Sequence, residues 1–253
     1  RSFDIVNRAE VVAGRKNKLM VAVSTKSGKT TVTLSGTIGV DASPPSYRYP
    51  VDDPSDYAGQ VFESVLRQAG IKLGRRKIKK GSKPANTRLL ATHYSEPLSV
   101  LLRAVNKFSN NFMAEQILRT LDEGDGASAS DSLAQMRAYA KQVGADQDGL
   151  VLGNGSGLYD NNRISAQAFT KLLASVYDDF TIRADFMASL AVMGVDGTTR
   201  KRLSEDPVKG WARVKTGTLD GVSALSGYVG VPGRRPVAFS ILINGIPKWK
   251  TAS

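Results

Sequence analysis

Arg213-Val214-Lys215-Thr216-Gly217-Thr218-Leu219 is the stretch from which the rest of the chain can be read. Val222, Ala224, Leu225, Tyr228, Val229 and Val231 follow it. A break at Pro232-Gly233-Arg234-Arg235-Pro236 comes next, and then Val237-Ala238-Phe239-Ser240-Ile241-Leu242-Ile243. Two β-rich runs joined by a Pro/Gly turn spell an antiparallel hairpin, with Lys215-Thr216-Gly217 at its start or on the strand before it. An ammonium, a hydroxyl and a glycine on one strand can line a groove for a carboxylate-bearing substrate. The lysine supplies charge, the threonine a donor, and the glycine lets a substrate backbone come close. Lys-Thr-Gly alone is common by chance, so its meaning rests on its companions.

Upstream, the period is helical. Val61, Phe62, Val65, Leu66 and Ala69 share one face, with Gly70 placed to end the helix. Leu98, Leu101, Leu102, Val105 and Phe108 mark a second helix, and Phe112, Met113, Gln116, Ile117 and Leu121 a third. Ser109-Asn110-Asn111 falls between those two. Serine and asparagine are poor helix-interior residues and good caps, so the triplet reads as a polar corner, which is also where a site residue would be displayed. Further helices are expected from about Asp131 to Val143 and from Ser165 to Tyr177.

The first part of the chain reads differently. Leu19-Met20-Val21-Ala22-Val23 and Thr31-Val32-Thr33-Leu34 flank Lys26-Ser27-Gly28-Lys29, a hairpin by composition. Gly28-Lys29-Thr30 looks like the tail of a phosphate-binding loop, but Val23 stands where the first glycine must be. Pro44, Pro45, Pro50 and Pro54 then punctuate the chain. Residues 1–54 are expected to belong to an accessory β-rich domain and residues 55–253 to a second, helix-and-sheet domain.

Composition narrows the chemistry. The 253 residues are 41% hydrophobic and 23% charged, enough for a real core. No run reaches the ~20 apolar residues of a membrane span. Arg1-Ser2-Phe3 is neither an initiator methionine nor a signal peptide, so the sequence is expected to begin after processing, truncation or cutting. With no cysteine, thiol catalysis and thiolate metal sites are excluded. The single histidine, His93, gives poor support to a Ser-His-Asp triad and reads as structural. No metal and no organic cofactor is implied. The net charge of +12 is densest at Lys72, Arg75, Arg76, Lys77, Lys79, Lys80 and Lys83. No aromatic is interleaved there for base stacking, so a solvated basic segment is preferred to a nucleic-acid groove.

What remains is a Ser-x-Asn corner followed far downstream by Lys-Thr-Gly. Four blocks carry a resemblance. They are Asn106-Lys107-Phe108-Ser109-Asn110-Asn111-Phe112-Met113-Ala114-Glu115; Asn154-Gly155-Ser156-Gly157-Leu158 with Asn162-Arg163-Ile164-Ser165; Gly194-Val195-Asp196-Gly197-Thr198; and Lys215-Thr216-Gly217-Thr218-Leu219-Asp220-Gly221-Val222. In this order, from about Tyr47 to Asn244, the chain resembles the class C low-molecular-mass penicillin-binding proteins, the D-alanyl-D-alanine carboxypeptidases and endopeptidases of peptidoglycan. The resemblance implies an α+β fold, an antiparallel sheet flanked by helices, carrying part of an inserted accessory domain. It also implies an extracytoplasmic serine acyl-transferase that acts on peptidoglycan stem peptides and is trapped by β-lactams.

On the matching positions, the resemblance gives Ser109 and Asn111 the roles of the second-motif serine and asparagine. Lys215 and Thr216 take the third-motif roles, with Gly217 and Thr218 beside them for the substrate carboxylate. The 155–157 and 196–198 segments are expected to shape the site rather than to react. One departure stands out: no serine in the sequence is followed three residues later by lysine. The nucleophile is therefore expected in a segment outside the sequence, and a non-catalytic peptidoglycan-binding groove is the alternative.

Overall fold

The computed structural model describes residues 3–26, 29–74, 78–82, 84–122, 128–159, 161–205, 207 and 209–247. The chain divides into two compact units, Arg1–Thr92 and His93–Ser253.

The first unit holds a three-stranded sheet of β1 (Phe3–Val12), β2 (Asn17–Lys26) and β3 (Lys29–Gly39), in the order β1-β3-β2. The expected hairpin is β2–β3, paired antiparallel from Asn17↔Ile38 to Lys26↔Lys29. Strand β1 lies parallel to β3 on its other side. Gly36 sits so close to β2 that a Cβ there would lie 2.3 Å from the Lys18 carbonyl oxygen.

Helix α1 (Pro54–Gln68) starts where Asp53 accepts the Asp56 amide at 3.0 Å with Pro54 in the first turn. It ends with Gly70 at φ +82°, the left-handed conformation glycine adopts without strain. Helix α1 begins at the residue where the sequence suggested a domain edge, but the first compact unit does not divide there and runs on to Thr92. Of the basic segment, Lys80 donates to Asp53 at 2.7 Å. Arg75, Arg76, Lys77 and Lys83 lie outside the described residues.

The second unit is α+β. Helices α2 (Leu98–Phe108), α3 (Asn111–Arg119), α4 (Ala129–Gln142), α5 (Ala166–Asp178) and α6 (Phe180–Ser189) precede the sheet. The sheet is an antiparallel meander, β4-β5-β6-β7, made of Ala191–Val192, Ala212–Leu219, Val222–Val231 and Arg234–Asn244. The turn of the expected hairpin is tighter than the Pro/Gly-rich break suggested, and β7 already begins at Arg234. A register shift between Val229 and Val231 takes up Arg235 and Pro236, and β7 is the last strand in the sheet order, where a missing N–H costs least.

The core forms where α5 and α6 meet the sheet. Leu173, Leu190 and Tyr228 are buried together, with Tyr177, Phe186, Met187 and Ala238 packed round them. Burying Val214 and Tyr228 contributes roughly 2 kcal/mol each. The Tyr228 hydroxyl donates to the Leu173 carbonyl at 2.7 Å, so its one polar atom is satisfied. Burial pushes its pKa up to about 12. This core fixes β6, and β6 fixes β5 through the pairs Lys215↔Ser226 and Gly217↔Ala224.

Candidate active site

The corner between α2 and α3 is built by two backbone choices. Ser109 closes α2 in the left-handed conformation, φ 56° and ψ 50°, which costs a non-glycine residue about 1 kcal/mol. Asn110 then returns to extended backbone, and its side-chain oxygen accepts the Met113 amide at 3.1 Å. The capping task thus falls to Asn110, the middle residue of the triplet. All three residues of the triplet, Ser109, Asn110 and Asn111, line a cavity of ≈ 370 Å³.

The opposite wall of that cavity is β5. Lys215, Thr216, Gly217, Thr218 and Leu219 all line it, so the six expected site residues are brought to one place. Lys215 Nζ donates to Ser109 Oγ at 2.9 Å and to the Thr216 carbonyl at 2.6 Å. Burial of the ammonium holds its pKa below the usual lysine value. Thr216 is buried, and its hydroxyl shares a 2.7 Å hydrogen bond with the Thr198 hydroxyl. Thr218 is exposed at the cavity wall.

The third wall is the turn through Gly155, Ser156, Gly157 and Leu158. It is held from α3: the Glu115 carboxylate accepts the Ser156 amide at 2.9 Å and the Gly155 amide at 3.3 Å. The Ser156 hydroxyl and these amides hold the Glu115 carboxyl below its ordinary value against the effect of burial. Gly155 packs so tightly on α3 that a Cβ would sit 2.8 Å from the Ala114 carbonyl oxygen. From the other side, Asn162 Oδ1 accepts the Gly153 amide at 2.7 Å and Asn162 Nδ2 reaches Asn154.

Two charged residues that do not line the cavity, Lys107 and Asp196, join the elements behind it. Lys107, in the last turn of α2, donates to Asp196 Oδ2 at 2.5 Å. Asp196 Oδ1 accepts the Val192 amide at 2.7 Å. Partial burial opposes the Asp196 charge, but the Lys107 ammonium, the Val192 amide and Arg213 outweigh it and hold the carboxyl below its ordinary value. His93 is exposed in coil before α2 and is not among the cavity residues. Among the described residues no group of three or more His, Asp or Glu side chains could hold a metal ion.

A second, larger cavity of ≈ 760 Å³ shares the wall formed by Gly155, Ser156, Gly157, Gly217, Thr218 and Leu219. The rest of its lining is chiefly apolar, with Leu121, Met136, Tyr139, Leu150, Phe169 and Leu172.

The sequence from residue 2 to residue 252 matches the D-Ala-D-Ala carboxypeptidase 3 (S13) family, and the chain belongs to that family. It is 35% identical over 253 residues to a D-alanyl-D-alanine carboxypeptidase of Actinomadura sp. (strain R39), covering 96% of this chain and 46% of that protein. It is 28% identical to the D-alanyl-D-alanine carboxypeptidase DacB of Haemophilus influenzae, covering 84% of this chain and 45% of the relative. The chain therefore spans about half the length of the curated relatives it matches. In fold it is similar to a crystal structure of Haemophilus influenzae penicillin binding protein 4 complexed with a β-lactam. The TM-score is 0.74 and the identity 24%, over 96% of this chain and 57% of that one. The α+β, penicillin-binding-protein-like architecture is thereby established.

Proposed function

We propose that residues 55–253 are the C-terminal part of the catalytic domain of a serine-type D-Ala-D-Ala carboxypeptidase/endopeptidase. In this reading it acts on peptidoglycan stem peptides through an acyl-enzyme that β-lactams trap. The observation that carries the reading is the 2.9 Å contact from Lys215 Nζ to Ser109 Oγ, between groups 106 residues apart in sequence. Because Lys215 donates to that oxygen, the Ser109 hydroxyl must direct its own proton elsewhere, and the cavity is the direction it lines. There it can hand a proton to the amine that leaves as the peptide bond breaks, and be resupplied from the lysine side. Asn111 holds a substrate amide. Lys215, Thr216 and Thr218 take the terminal carboxylate, with Gly217 letting the substrate backbone lie against β5.

The attacking serine belongs, in this reading, to a Ser-x-x-Lys segment outside the sequence. Two observations support it: no Ser-x-x-Lys occurs in the chain, and a large apolar cavity adjoins the site, able to seat a further element. Residues 1–54 would then belong to the accessory β-rich domain. The protein would work outside the cytoplasm, where its polymer lies. No helix among the described residues is long and apolar enough to cross a membrane. The missing motif also favours a second reading, a groove that binds muropeptides without cleaving them. Intact-protein mass spectrometry with penicillin separates the two. A covalent adduct on the full-length protein is expected, and muropeptide binding with no adduct would replace the first reading by the second.

A further inference from the structure

Six residues form a closed circuit round the back of the site. Lys107 pairs with Asp196, Thr198 with Thr216, and Lys215 with Ser109, and the chain itself joins each bridge to the next at 107–109, 196–198 and 215–216. The circuit is tight. Gly197 is pressed against α2 so closely that a Cβ would lie 2.6 Å from the Lys107 carbonyl oxygen, and its φ is +58°. Asp196 is itself tied through Val192 to the strand that pairs with β5 at Ala191↔Val214 and Val192↔Arg213. Neither Lys107 nor Asp196 lines the cavity.

We propose that Lys107 and Asp196 are positioning residues. Their ion pair clamps the last turn of α2 to the 196–199 turn, and so sets the distance and angle at which Ser109 meets Lys215. The geometry argues for this role over simple surface pairing. The Lys107 side chain is only 16% exposed, it stands two residues from Ser109, and Ser109 itself holds a left-handed backbone uncommon for a non-glycine residue. A corner of that kind keeps its shape only when its surroundings over-determine it. The hydroxyl pair Thr198–Thr216 then transmits the same restraint to the residue after Lys215. Misplacing two groups that must exchange a proton by ~1 Å costs on the order of tenfold to a hundredfold in rate.

The inference rests on the acyl-enzyme reading for its kinetic test, so one of its two measurements is independent of activity. In the full-length protein, Asp196→Asn and Lys107→Met should each lower the rate constant of penicillin acylation by roughly tenfold or more, with the binding constant changed less than about threefold. The double variant should be no worse than either single one by more than about threefold, because the pair acts as one unit. Lys107→Arg should restore the rate. Losses under twofold, a loss confined to binding, or multiplying losses in the double variant would overturn the clamp. If Asp196→Asn does not fold, Lys107→Met against Lys107→Arg makes the same comparison.

The second measurement is ¹³C NMR of protein labelled at the lysine Cε. Asp196→Asn should move the Lys215 signal as well as that of Lys107, although Asp196 does not touch Lys215. A Lys215 signal left in place overturns the inference. A wild type that never forms a penicillin adduct sinks the functional reading alone, and the NMR result still decides this one.

Discussion

The carboxylate of Glu115 accepts the amide of Ser156 at 2.9 Å, across 41 residues of sequence. One side chain of α3 thereby ties the turn at one wall of the cavity, alongside the Asn162 bonds on its other side. Its folded pKa is lowered, so its stabilising effect is fully present well above the ordinary glutamate value and is lost as pH falls through the folded value. Glu115→Gln should therefore destabilise the protein by about 1 kcal/mol at neutral pH, a modest figure because the group is partly open to solvent. Chemical denaturation at a series of pH values should show the two proteins converging on acidification. A gap that stays constant to low pH would refute the charge-based account.

Lys215 is shifted in the same direction but for a different reason, the burial of its ammonium rather than hydrogen bonds to its charged form. Burial lowers its folded pKa, so between that value and the ordinary 10.5 the unfolded chain binds more protons than the folded one. Stability should rise with pH across this window in the wild type, and Lys215→Met should lack the rise. The same substitution in the full-length protein should slow penicillin acylation by at least ~10²-fold. Unchanged acylation would remove Lys215 from the site.

Ser109→Gly relieves a left-handed serine. The variant should gain up to about 1 kcal/mol in stability while losing acylation, since the hydroxyl goes with the strain. Thermal melts and penicillin labelling on the same sample measure both. A less stable variant would mean that the Lys215 contact outweighs the backbone cost.

Asn110→Ala removes the cap of α3 without touching Ser109 Oγ. A loss of about 1 kcal/mol is expected. Acylation should fall less than in Ser109→Gly, which distinguishes the capping residue from its neighbour.

The parts of the molecule that sequence made legible share a physical property: their signals are local. Helices α2 and α3 are legible in apolar spacing and in the polar triplet between them, and β5 to β7 in β-rich runs between turns. Helix α6 is not, because Phe180, Ile182, Phe186 and Met187 are spread round it and form no single stripe, and Asp179 both ends α5 and caps α6. Strand β1 was hidden by Asp4, Asn7, Arg8 and Glu10, and its parallel partner β3 is remote in sequence. At the site, the residue types of Ser109, Asn111 and Lys215 were readable from motifs. Lys107 and Asp196 were not assigned a task, since their pairing spans 89 residues and leaves no periodic trace.

Strand β4 is two residues long and covers β5 only at Arg213 and Val214. From Lys215 to Leu219 the outer edge of β5 has no strand beside it among the described residues. An uncovered sheet edge invites a neighbouring molecule to zip on, and a lysine on such an edge is a common deterrent because its charge resists being stacked between chains. Lys215 stands at the start of that open edge, but its ammonium is partly buried and turned to Ser109 Oγ and the Thr216 carbonyl, so it does not present a free charge along the edge. The edge from Lys215 to Leu219 is thus left as a row of backbone groups along the cavity wall, free to pair with an extended chain laid beside it.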